Sequence, residues 1–313
     1  MISLDLIKKW QKMVTNKSVF HVNQTVGQYF SVDEIKGYYN NLMDKIEVTK
    51  NLDEQGIPFN IASHGNDKKT IYFPIAIFQY GLGAYDLYLK TKKACYRDKM
   101  LTMANWALEH QQDDGSWNAF GELGLSCTVS AMAQGEGASL LARAFVETGK
   151  DIYRDAACKA IDFMVMPIEN GGTAEYCAEG IILKEYPEKE TVLNGWIFAS
   201  FGLLDVWKAS SEEKYKKLWN DSIRAIQATL NKFDAGHWSY YNLGKMYTSD
   251  FYHSLHIELL KALDAIAPNQ NYKKYIKKWS ECKDSSLWSK IAFIHKAAQK
   301  LSEKQTQEWV MIS

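Results

Sequence analysis

The amino-acid sequence predicts a mainly α-helical protein built as an incomplete (α/α) toroid of about four helical hairpins. Three observations lead to this prediction. A tyrosine-centred pattern recurs along the chain, the stretches between its copies have the periodicity of paired helices, and the first helix of each pair is apolar on nearly all sides. We assign residues 71–313 to the toroid and expect residues 1–70 to form a helical and extended segment that packs on it.

The recurring pattern lies in the more polar helix of each pair. Tyr96-Arg97-Asp98 is repeated as Tyr153-Arg154-Asp155 after 57 residues, Tyr215 follows Tyr153 by 62 residues, and Tyr272 follows Tyr215 by 57. A unit that recurs at such spacing is typical of helical hairpins that bury their apolar faces against their neighbours. The sequence therefore predicts four units of the same kind.

The four hairpins are predicted at about residues 73–112, 127–166, 192–232 and 250–282. Their first helices are apolar nearly all round, which indicates an inner ring buried on both sides. Their second helices have one apolar stripe and one charged face, which indicates an outer ring. The loops at one end of such a double ring enclose a cleft in which a ligand can bind.

The predicted loops 111–125, 166–193 and 233–250 are long and contain glycine and Asx residues that favour tight turns. They also carry aromatic side chains, whose flat amphipathic rings suit contacts with sugars. The loop aromatics that we place around the cleft are Trp117, Trp238, Tyr240, Tyr241 and Tyr247. The sequence therefore predicts an aromatic cleft that binds a glycan.

Charge and composition exclude several other classes of protein. The chain has 37 basic and 37 acidic residues and no net charge, so no long-range field attracts a nucleic acid. Apolar runs are too short to span a bilayer, and charged residues within 1–14 argue against a signal peptide. Five scattered cysteines fit a reducing compartment. We expect a cytoplasmic protein without a membrane span, with a homodimer as the candidate assembly.

Five motifs in a fixed order carry a resemblance to a known family. They are YFPIAIFQYGL at 72–82, SAMAQG at 130–135, EYP at 185–187 with VLNG at 192–195, YNL at 241–243, and YHSLH at 252–256. In these motifs the chain resembles the D-glucuronyl C5-epimerases, which convert D-glucuronate to L-iduronate in heparosan-type polysaccharides. The resemblance covers residues 72–279. It implies an isomerase whose partner is a glucuronate-containing polysaccharide or oligosaccharide.

Epimerisation at C5 removes a proton alpha to a carboxylate and returns one to the opposite face of the sugar ring. This chemistry requires a base and an acid on opposite faces, with donors that neutralise the carboxylate, and it needs no metal or other cofactor. The resemblance implies catalytic roles for Glu185, Tyr186, Tyr241 and Tyr252. We assign proton transfer to Glu185 and Tyr252, and carboxylate binding to Tyr186 and Tyr241.

A second group of residues is predicted to bind the substrate. Amides in the inner helices are expected to reach sugar hydroxyls, indoles to stack on sugar rings, and a lysine lies one place later than the basic residue that follows the YNL motif in the family. The predicted substrate-binding residues are Gln134, Asn194, Trp117, Trp238, His253, His256 and Lys245. The two histidines are one turn apart but have no third ligand at a recognisable spacing, so we expect no metal site.

Three alternatives remain open from the sequence. A polysaccharide lyase shares the C5 proton abstraction and then expels the C4 substituent. A glycoside hydrolase needs a second carboxylate across the cleft from Glu185, and the candidates for it are Asp113, Asp114, Glu136 and Asp250. A non-catalytic relative would bind a glycan without turnover.

Overall fold

The computed structural model describes residues 22, 24–302 and 309–312. The described residues are mainly helical and confirm the predicted incomplete (α/α) toroid. The helices are α1 (Asp44–Val48), α2 (Pro74–Thr91), α3 (Ala94–His110), α4 (Ala131–Thr148), α5 (Asp151–Met164), α6 (Leu193–Ser210), α7 (Glu213–Thr229), α8 (Asp250–Ile266), α9 (Gln270–Asp284) and α10 (Ser286–Ser302). Residues 1–21 and 23 of the predicted N-terminal segment lie outside the described residues, and the division at residue 70 stays a prediction.

Four hairpins form the double ring. Each pairs an inner with an outer helix, as α2 with α3, α4 with α5, α6 with α7 and α8 with α9, and the inner helices pack on one another in that order. The hairpin boundaries agree with the prediction to within a few residues. Inner helices α2, α4 and α6 are buried along most of their length, whereas α7 buries one stripe. No helix of the described residues is long and apolar enough to cross a bilayer.

Two small antiparallel sheets accompany the helices. In the first, β1 (Asn60–His64) pairs with β2 (Asp67–Ile71) on one side and with β5 (Val310–Met311) on the other. In the second, β3 (Ala174–Cys177) and β4 (Gly180–Leu183) form a hairpin between α5 and α6. The sequence analysis treats this stretch as part of a loop, since its strands are short. The second hairpin leads directly to Glu185.

Small residues allow α4 and α6 to approach closely. A Cβ atom on Gly135 would lie 2.5 Å from the Cα atom of Ala199, and one on Gly202 would lie 2.5 Å from the Cα atom of Gly135. The amino-terminal halves of the two helices therefore meet, and their carboxyl-terminal halves meet at Arg143 and Asp205. The two inner helices consequently run parallel, with their first turns at the same end of the toroid.

A buried polar layer crosses the inner ring near the carboxyl ends of its helices. The Arg143 guanidinium lies 2.7 Å from the Asp205 carboxylate, and both side chains are fully buried. The Tyr39 hydroxyl donates to Asp205, and the Tyr38 amide donates to Asp86. Because buried charges are tolerated only when they are paired and hydrogen-bonded, this layer ties the N-terminal segment to three inner helices.

The same segment also reaches the fourth hairpin. The Val26 amide donates to the Glu258 carboxylate of α8 at 3.0 Å. The Arg143 guanidinium donates to the Gly37 carbonyl at 3.0 Å. The N-terminal segment therefore contacts all four inner helices from α2 to α8.

Candidate active site

The four predicted catalytic residues come from two loops and one helix at the cleft end of the toroid. Glu185 and Tyr186 follow β4, Tyr241 lies in the connection between α7 and α8, and Tyr252 is the third residue of α8. The two loops are joined, since the Leu193 amide donates to the Tyr241 carbonyl at 3.2 Å. The structure brings the four residues into one cluster, and their individual roles stay predictions.

Local backbone contacts fix the position of Glu185. The Ala131 amide, at the start of α4, donates to the Lys184 carbonyl at 3.1 Å. On the other side, a Cβ atom on Gly195 would overlap the Glu185 side chain, lying 2.7 Å from its Cβ atom. The absence of a side chain at Gly195 therefore makes the space that the Glu185 carboxyl occupies.

Tyr241 and Tyr252 are held against each other by the start of α8. The Ser249 hydroxyl accepts a hydrogen bond from the Tyr252 amide and caps the helix. The Tyr241 amide donates to the Met246 carbonyl at 2.6 Å, which closes the loop that presents this tyrosine. The two tyrosine rings meet edge to face, with their centroids 5.0 Å apart and an interplanar angle of 65°.

The Glu185 carboxyl is suited to proton exchange near neutral pH. Its side chain is 6% exposed, and its Oε2 atom accepts no hydrogen bond from the described residues. Burial raises the pKa of Glu185 to about 7, and a hydrogen bond from Tyr186 opposes the rise. A carboxyl group with a pKa near the working pH can take up or release a proton in a catalytic step.

The two phenols remain protonated at neutral pH. Burial raises the pKa of Tyr252, and the charge of Glu185 raises it further. Burial also raises the pKa of Tyr241, with smaller effects of the same sign from Glu185, Tyr252 and Tyr186. These electrostatic effects place the phenols within range of the carboxyl group. In the unliganded site Glu185 is therefore the group that can act as a base, and the tyrosines are proton donors.

The Tyr186 ring contacts two side chains outside the predicted cluster. Its ring stacks on Phe120, with centroids 4.7 Å apart and an interplanar angle of 15°. The Lys189 ammonium lies over the ring, 5.3 Å from its centroid. The sequence analysis does not find Phe120, because its loop contains several aromatic residues and nothing local distinguishes the one that stacks.

A second buried carboxyl group lies beside the cluster. Glu136 of α4 is fully buried and accepts a hydrogen bond from the Gln79 amide at 2.8 Å. Burial raises the pKa of Glu136, and the charge of Glu185 contributes to the rise. The Oε2 atom of Glu136 accepts no hydrogen bond from the described residues. Gln79 is a site residue that the sequence analysis misses, because it reads as part of an apolar helix.

The structure corrects the predictions for Trp117 and Gln134. Trp117 is fully buried, and its indole N–H donates to the Ala107 carbonyl at 2.9 Å. Gln134 is also fully buried, and its amide donates to the carbonyls of Gly115 and Ala160. Neither side chain can reach a substrate, because both use their polar atoms to hold the interior end of a loop.

The predictions for Trp238, His253 and His256 are corrected in the same way. Trp238 is 2% exposed and stacks on the fully buried His253 ring at a centroid distance of 3.7 Å. His253 bonds Ser239 through Nδ1 and the Trp279 carbonyl through Nε2, and His256 is fully buried beside the same serine. Burial lowers the pKa of both histidines to about 3. They are neutral core residues.

The two remaining predicted substrate residues have different surroundings. Asn194, in the first turn of α6, is 3% exposed, and its Oδ1 atom accepts no hydrogen bond from the described residues. Lys245 is exposed and lines a surface crevice of about 410 Å³ together with Lys232 and Tyr240. That crevice includes none of the four predicted catalytic residues. Substrate contact stays a prediction for both residues.

The described residues contain no group of three or more histidine, cysteine, aspartate or glutamate side chains arranged to hold a metal ion. The groups that the cluster offers for chemistry are carboxyl and phenol groups. They comprise one carboxyl with a pKa near 7 and three tyrosines, of which two are shown to lie ring to ring. Such a set can move a proton between two positions on a bound molecule.

Comparison with known proteins shows that the chain matches a protein family. Residues 125–281 match the family described as D-glucuronyl C5-epimerase C-terminus. The chain is 26% identical over 206 residues to a D-glucuronyl C5-epimerase of Caenorhabditis elegans, an alignment that covers 56% of this chain and 33% of that protein. It is 29% identical over 145 residues to an uncharacterized protein of Methanocaldococcus jannaschii, with 44% and 47% of the two chains covered.

The chain thus spans about a third of the length of the nematode protein and about half of the archaeal one. Among solved structures, it is similar to the Lin0763 protein of Listeria innocua, with a TM-score of 0.50 and 11% sequence identity. That similarity covers 75% of this chain and 74% of the other. At this level of identity the similarity concerns the fold alone.

Proposed function

The chain belongs to the D-glucuronyl C5-epimerase C-terminus family, and from this membership we propose that it is a uronate C5-epimerase. Its substrate is a glucuronate-containing polysaccharide or oligosaccharide, in which it converts D-glucuronate residues to L-iduronate. The observation that carries the proposal is the cluster in which the Glu185 carboxyl acts electrostatically on the phenols of Tyr241 and Tyr252.

In the proposed reaction Glu185 and Tyr252 lie on opposite faces of the uronate ring. The Glu185 carboxylate takes the C5 proton, and the electron pair of the broken C–H bond delocalises into the substrate carboxylate to give an enediolate. Tyr252 then donates its phenolic proton to the other face of C5. The cycle closes when Glu185 releases a proton to water and the Tyr252 phenolate takes one up, so the hydrogen at C5 exchanges with solvent.

The pKa values of Glu185 and Tyr252 support their roles as base and acid. Because burial raises the pKa of Glu185 to about 7, a large fraction of it is ionised at neutral pH and can act as a base. Because burial and the Glu185 charge raise the pKa of Tyr252, its proton is present when the enediolate forms. Tyr186 and Tyr241 are assigned as donors to the substrate carboxylate, whose charge increases in the transition state.

The proposal is tested by incubating the protein with heparosan in deuterated water. We expect deuterium at C5 of the uronate, the appearance of iduronate, and no change in chain length. A product with an unsaturated, ultraviolet-absorbing end would instead identify a lyase. New reducing ends without unsaturation would identify a hydrolase, and no change at all would favour a non-catalytic glycan-binding protein.

Replacement of one hydroxyl group separates catalysis from binding. In Tyr252→Phe, we expect isotope exchange at C5 to fall by about 100-fold or more, because the proton donor is lost, while oligosaccharide binding and the melting temperature are kept. Tyr88→Phe, near the carboxyl end of α2, is a matched control, and it should keep full exchange. Equal activity in the two variants would remove Tyr252 from the mechanism.

The hydrolase alternative has less support. Of the candidate second carboxyl groups, Glu136 feels the charge of Glu185, but it is fully buried and hydrogen-bonded to Gln79. A hydrolase requires two carboxyl groups that both reach the glycosidic bond or its attacking water. A side chain without exposed surface does not meet that requirement.

A further inference from the structure

Positive charge at the site would assist the proposed reaction, and the four clustered residues supply none. A uronate substrate brings one carboxylate, and removal of its C5 proton adds a second negative charge to the same group. Fixed cations or hydrogen-bond donors aimed at such charge lower the barrier, and a cation does so most strongly in a water-poor site. Glu185 and the three tyrosines are neutral or negative, so any cation that adds to the tyrosine donors comes from elsewhere in the fold.

Lys45 is brought to this region by the way the N-terminal segment follows α2. The Tyr38 amide is bonded to Asp86 at 2.9 Å. Further along, the Leu42 carbonyl packs on Gly83 so closely that a Cβ atom on the glycine would overlap it. Thus the segment runs antiparallel to the helix.

The position of Lys45 is found by following the N-terminal segment forwards from Leu42 and α2 backwards from Gly83. Lys45 is three residues beyond Leu42, and its amide donates to the Leu42 carbonyl at 3.1 Å. Gln79 is four residues before Gly83 and therefore lies on the same face of α2. Lys45 consequently reaches the level of Gln79, whose amide is bonded to Glu136 at 2.8 Å.

Electrostatic effects between the side chains agree with this placement. The Glu136 carboxyl is acted on by the Lys45 ammonium from one direction and by Glu185 from another. Burial lowers the pKa of Lys45, and the charge of Glu136 opposes that change. Burial also raises the pKa of Glu136, which favours its neutral form. Among the described residues the Lys45 ammonium forms no ion pair with a carboxylate, and its side chain keeps part of its surface exposed.

We propose that the Lys45 ammonium binds the carboxylate of the uronate residue that undergoes epimerisation. This inference rests on the proposed function and adds to it a substrate-contacting cation from outside the repeating hairpins. Two other cations are less suitable. Arg143 is fully buried and paired with Asp205 near the carboxyl ends of the inner helices, and Lys189 is exposed on the loop, over the ring of Tyr186.

The experiment measures whether Lys45 recognises the carboxylate. Binding of a heparosan hexasaccharide is compared by calorimetry with binding of the same hexasaccharide after its uronates have been reduced to glucose. We expect the unmodified protein to prefer the charged ligand by roughly tenfold or more, as a charge-assisted hydrogen bond provides. In Lys45→Met, which keeps the length of the side chain, the two ligands should bind within about twofold of each other.

Two variants control for effects on folding and on net charge. Lys45→Arg keeps the charge and should keep most of the preference for the charged ligand. Lys50→Met removes a lysine that is exposed five positions later, where its ammonium donates to the Glu47 carbonyl at 2.7 Å, and it should leave the preference unchanged. Thermal unfolding of all variants checks that the toroid is intact.

The possible outcomes separate this inference from the proposed function. Loss of the preference in Lys45→Met alone supports the inference, whether or not the unmodified protein exchanges hydrogen at C5. Exchange at C5 together with an unchanged preference in Lys45→Met overturns the inference and leaves the epimerase proposal intact. No preference for the charged ligand in the unmodified protein overturns the inference as well. If Lys45→Met does not fold, loss of the preference in Lys45→Arg also overturns it.

Discussion

The Glu185 carboxyl group occupies the space that a side chain at Gly195 would fill. Gly195 lies in the first turn of α6, and Glu185 lies in the loop before that helix. The contact positions an acid whose pKa burial raises to about 7. It links the packing of the inner ring directly to the candidate active site.

The first prediction concerns this contact. In Gly195→Ala, the new methyl group would overlap the Cβ and carboxyl atoms of Glu185, so the carboxyl group must move. Since a displacement of about 1 Å in a catalytic group can cost roughly 100-fold in rate, we expect a loss of that order in C5 isotope exchange.

A double-mutant cycle tests whether the loss acts through the carboxyl group. The rate of exchange is measured in Gly195→Ala, in Glu185→Gln and in the combined variant. The alanine should have little further effect once Glu185 has been replaced. Full additivity of the two losses would indicate that Gly195 acts by another route.

The second prediction concerns the dependence of activity on pH. Because burial raises the pKa of Glu185 to about 7, its ionised fraction grows as the pH rises through that value. If Glu185 is the base, kcat/KM for exchange should increase as the pH rises through about 7, and loss of the charge of Lys45, whose pKa burial lowers to about 8, should reduce it at higher pH. A flat profile between pH 5 and pH 9 would argue against this role.

The same pKa has a consequence for stability, with the opposite sign. The folded-state pKa of Glu185, about 7, lies above the ordinary value of 4.5, so the folded protein binds this proton more tightly than the unfolded chain. The contribution is complete below pH 4.5 and is lost as the pH rises to about 7, on the order of 3 kcal/mol. Urea unfolding of Glu185→Gln at pH 5 and pH 8 should show a smaller pH difference than the unmodified protein.

The third prediction concerns the buried ion pair of Arg143 and Asp205. Both side chains are fully buried and 2.7 Å apart. In Asp205→Asn one charge is removed and the guanidinium is left buried without its counter-ion, so we expect a loss of about 3–5 kcal/mol in the free energy of unfolding. Urea denaturation measures it.

An exposed ion pair on the outer ring serves as the control. Glu213 lies 3.6 Å from Lys216, and both side chains are substantially exposed. Glu213→Gln should change the free energy of unfolding by less than about 0.5 kcal/mol. A similar small effect for Asp205→Asn would show that the layer does not hold the N-terminal segment in place.

The fourth prediction concerns the two buried histidines. Burial lowers the pKa of His253 and His256 to about 3, so both remain neutral at ordinary pH. Their imidazole resonances in NMR spectra should not shift between pH 5 and pH 8. As the pH falls below 6.5 the unfolded chain binds protons that the folded state does not, so these two groups reduce stability progressively towards pH 3. A titration midpoint near 6.5 would contradict their placement in the core.

The architecture was predictable because it depends on patterns within short stretches of chain. Helices such as α6 are apolar on all sides, while α7 has one charged face, and this contrast alone separates the inner from the outer ring. The observed helix boundaries differ from the predicted ones by a few residues where a capping side chain sets the start of the helix. One example is Ser130, whose hydroxyl caps α4. The β3–β4 hairpin was not predicted, because four-residue strands carry too little pattern.

The site was predicted less completely. The motifs singled out Glu185, Tyr241 and Tyr252, which the structure brings together. The indoles of Trp117 and Trp238 were expected at the rim, but they fill the core. A tryptophan in a loop can lie at the rim of the cleft or in the core. Which of the two it adopts depends on how distant elements pack against the loop.

Lys45 could not be found from the sequence for a related reason. It lies outside the repeating hairpins, in a short helix without a recognisable motif. Its approach to Glu136 depends on the contact of Leu42 with Gly83, which joins two elements that no local pattern relates. The predicted loop residue Lys245, in contrast, lines a surface crevice whose lining includes none of the clustered tyrosines.

The hydrogen bond from Val26 to Glu258 joins positions 232 residues apart. A ribosome adds roughly 5–20 residues per second, so roughly 10–50 seconds of translation separate the emergence of the two partners. During that interval the Tyr38 amide can already donate to Asp86 in the first hairpin. The Val26 amide can donate to Glu258 only after α8 has been synthesised. The nascent toroid is therefore completed at its fourth hairpin, after almost all of the ring has left the exit tunnel.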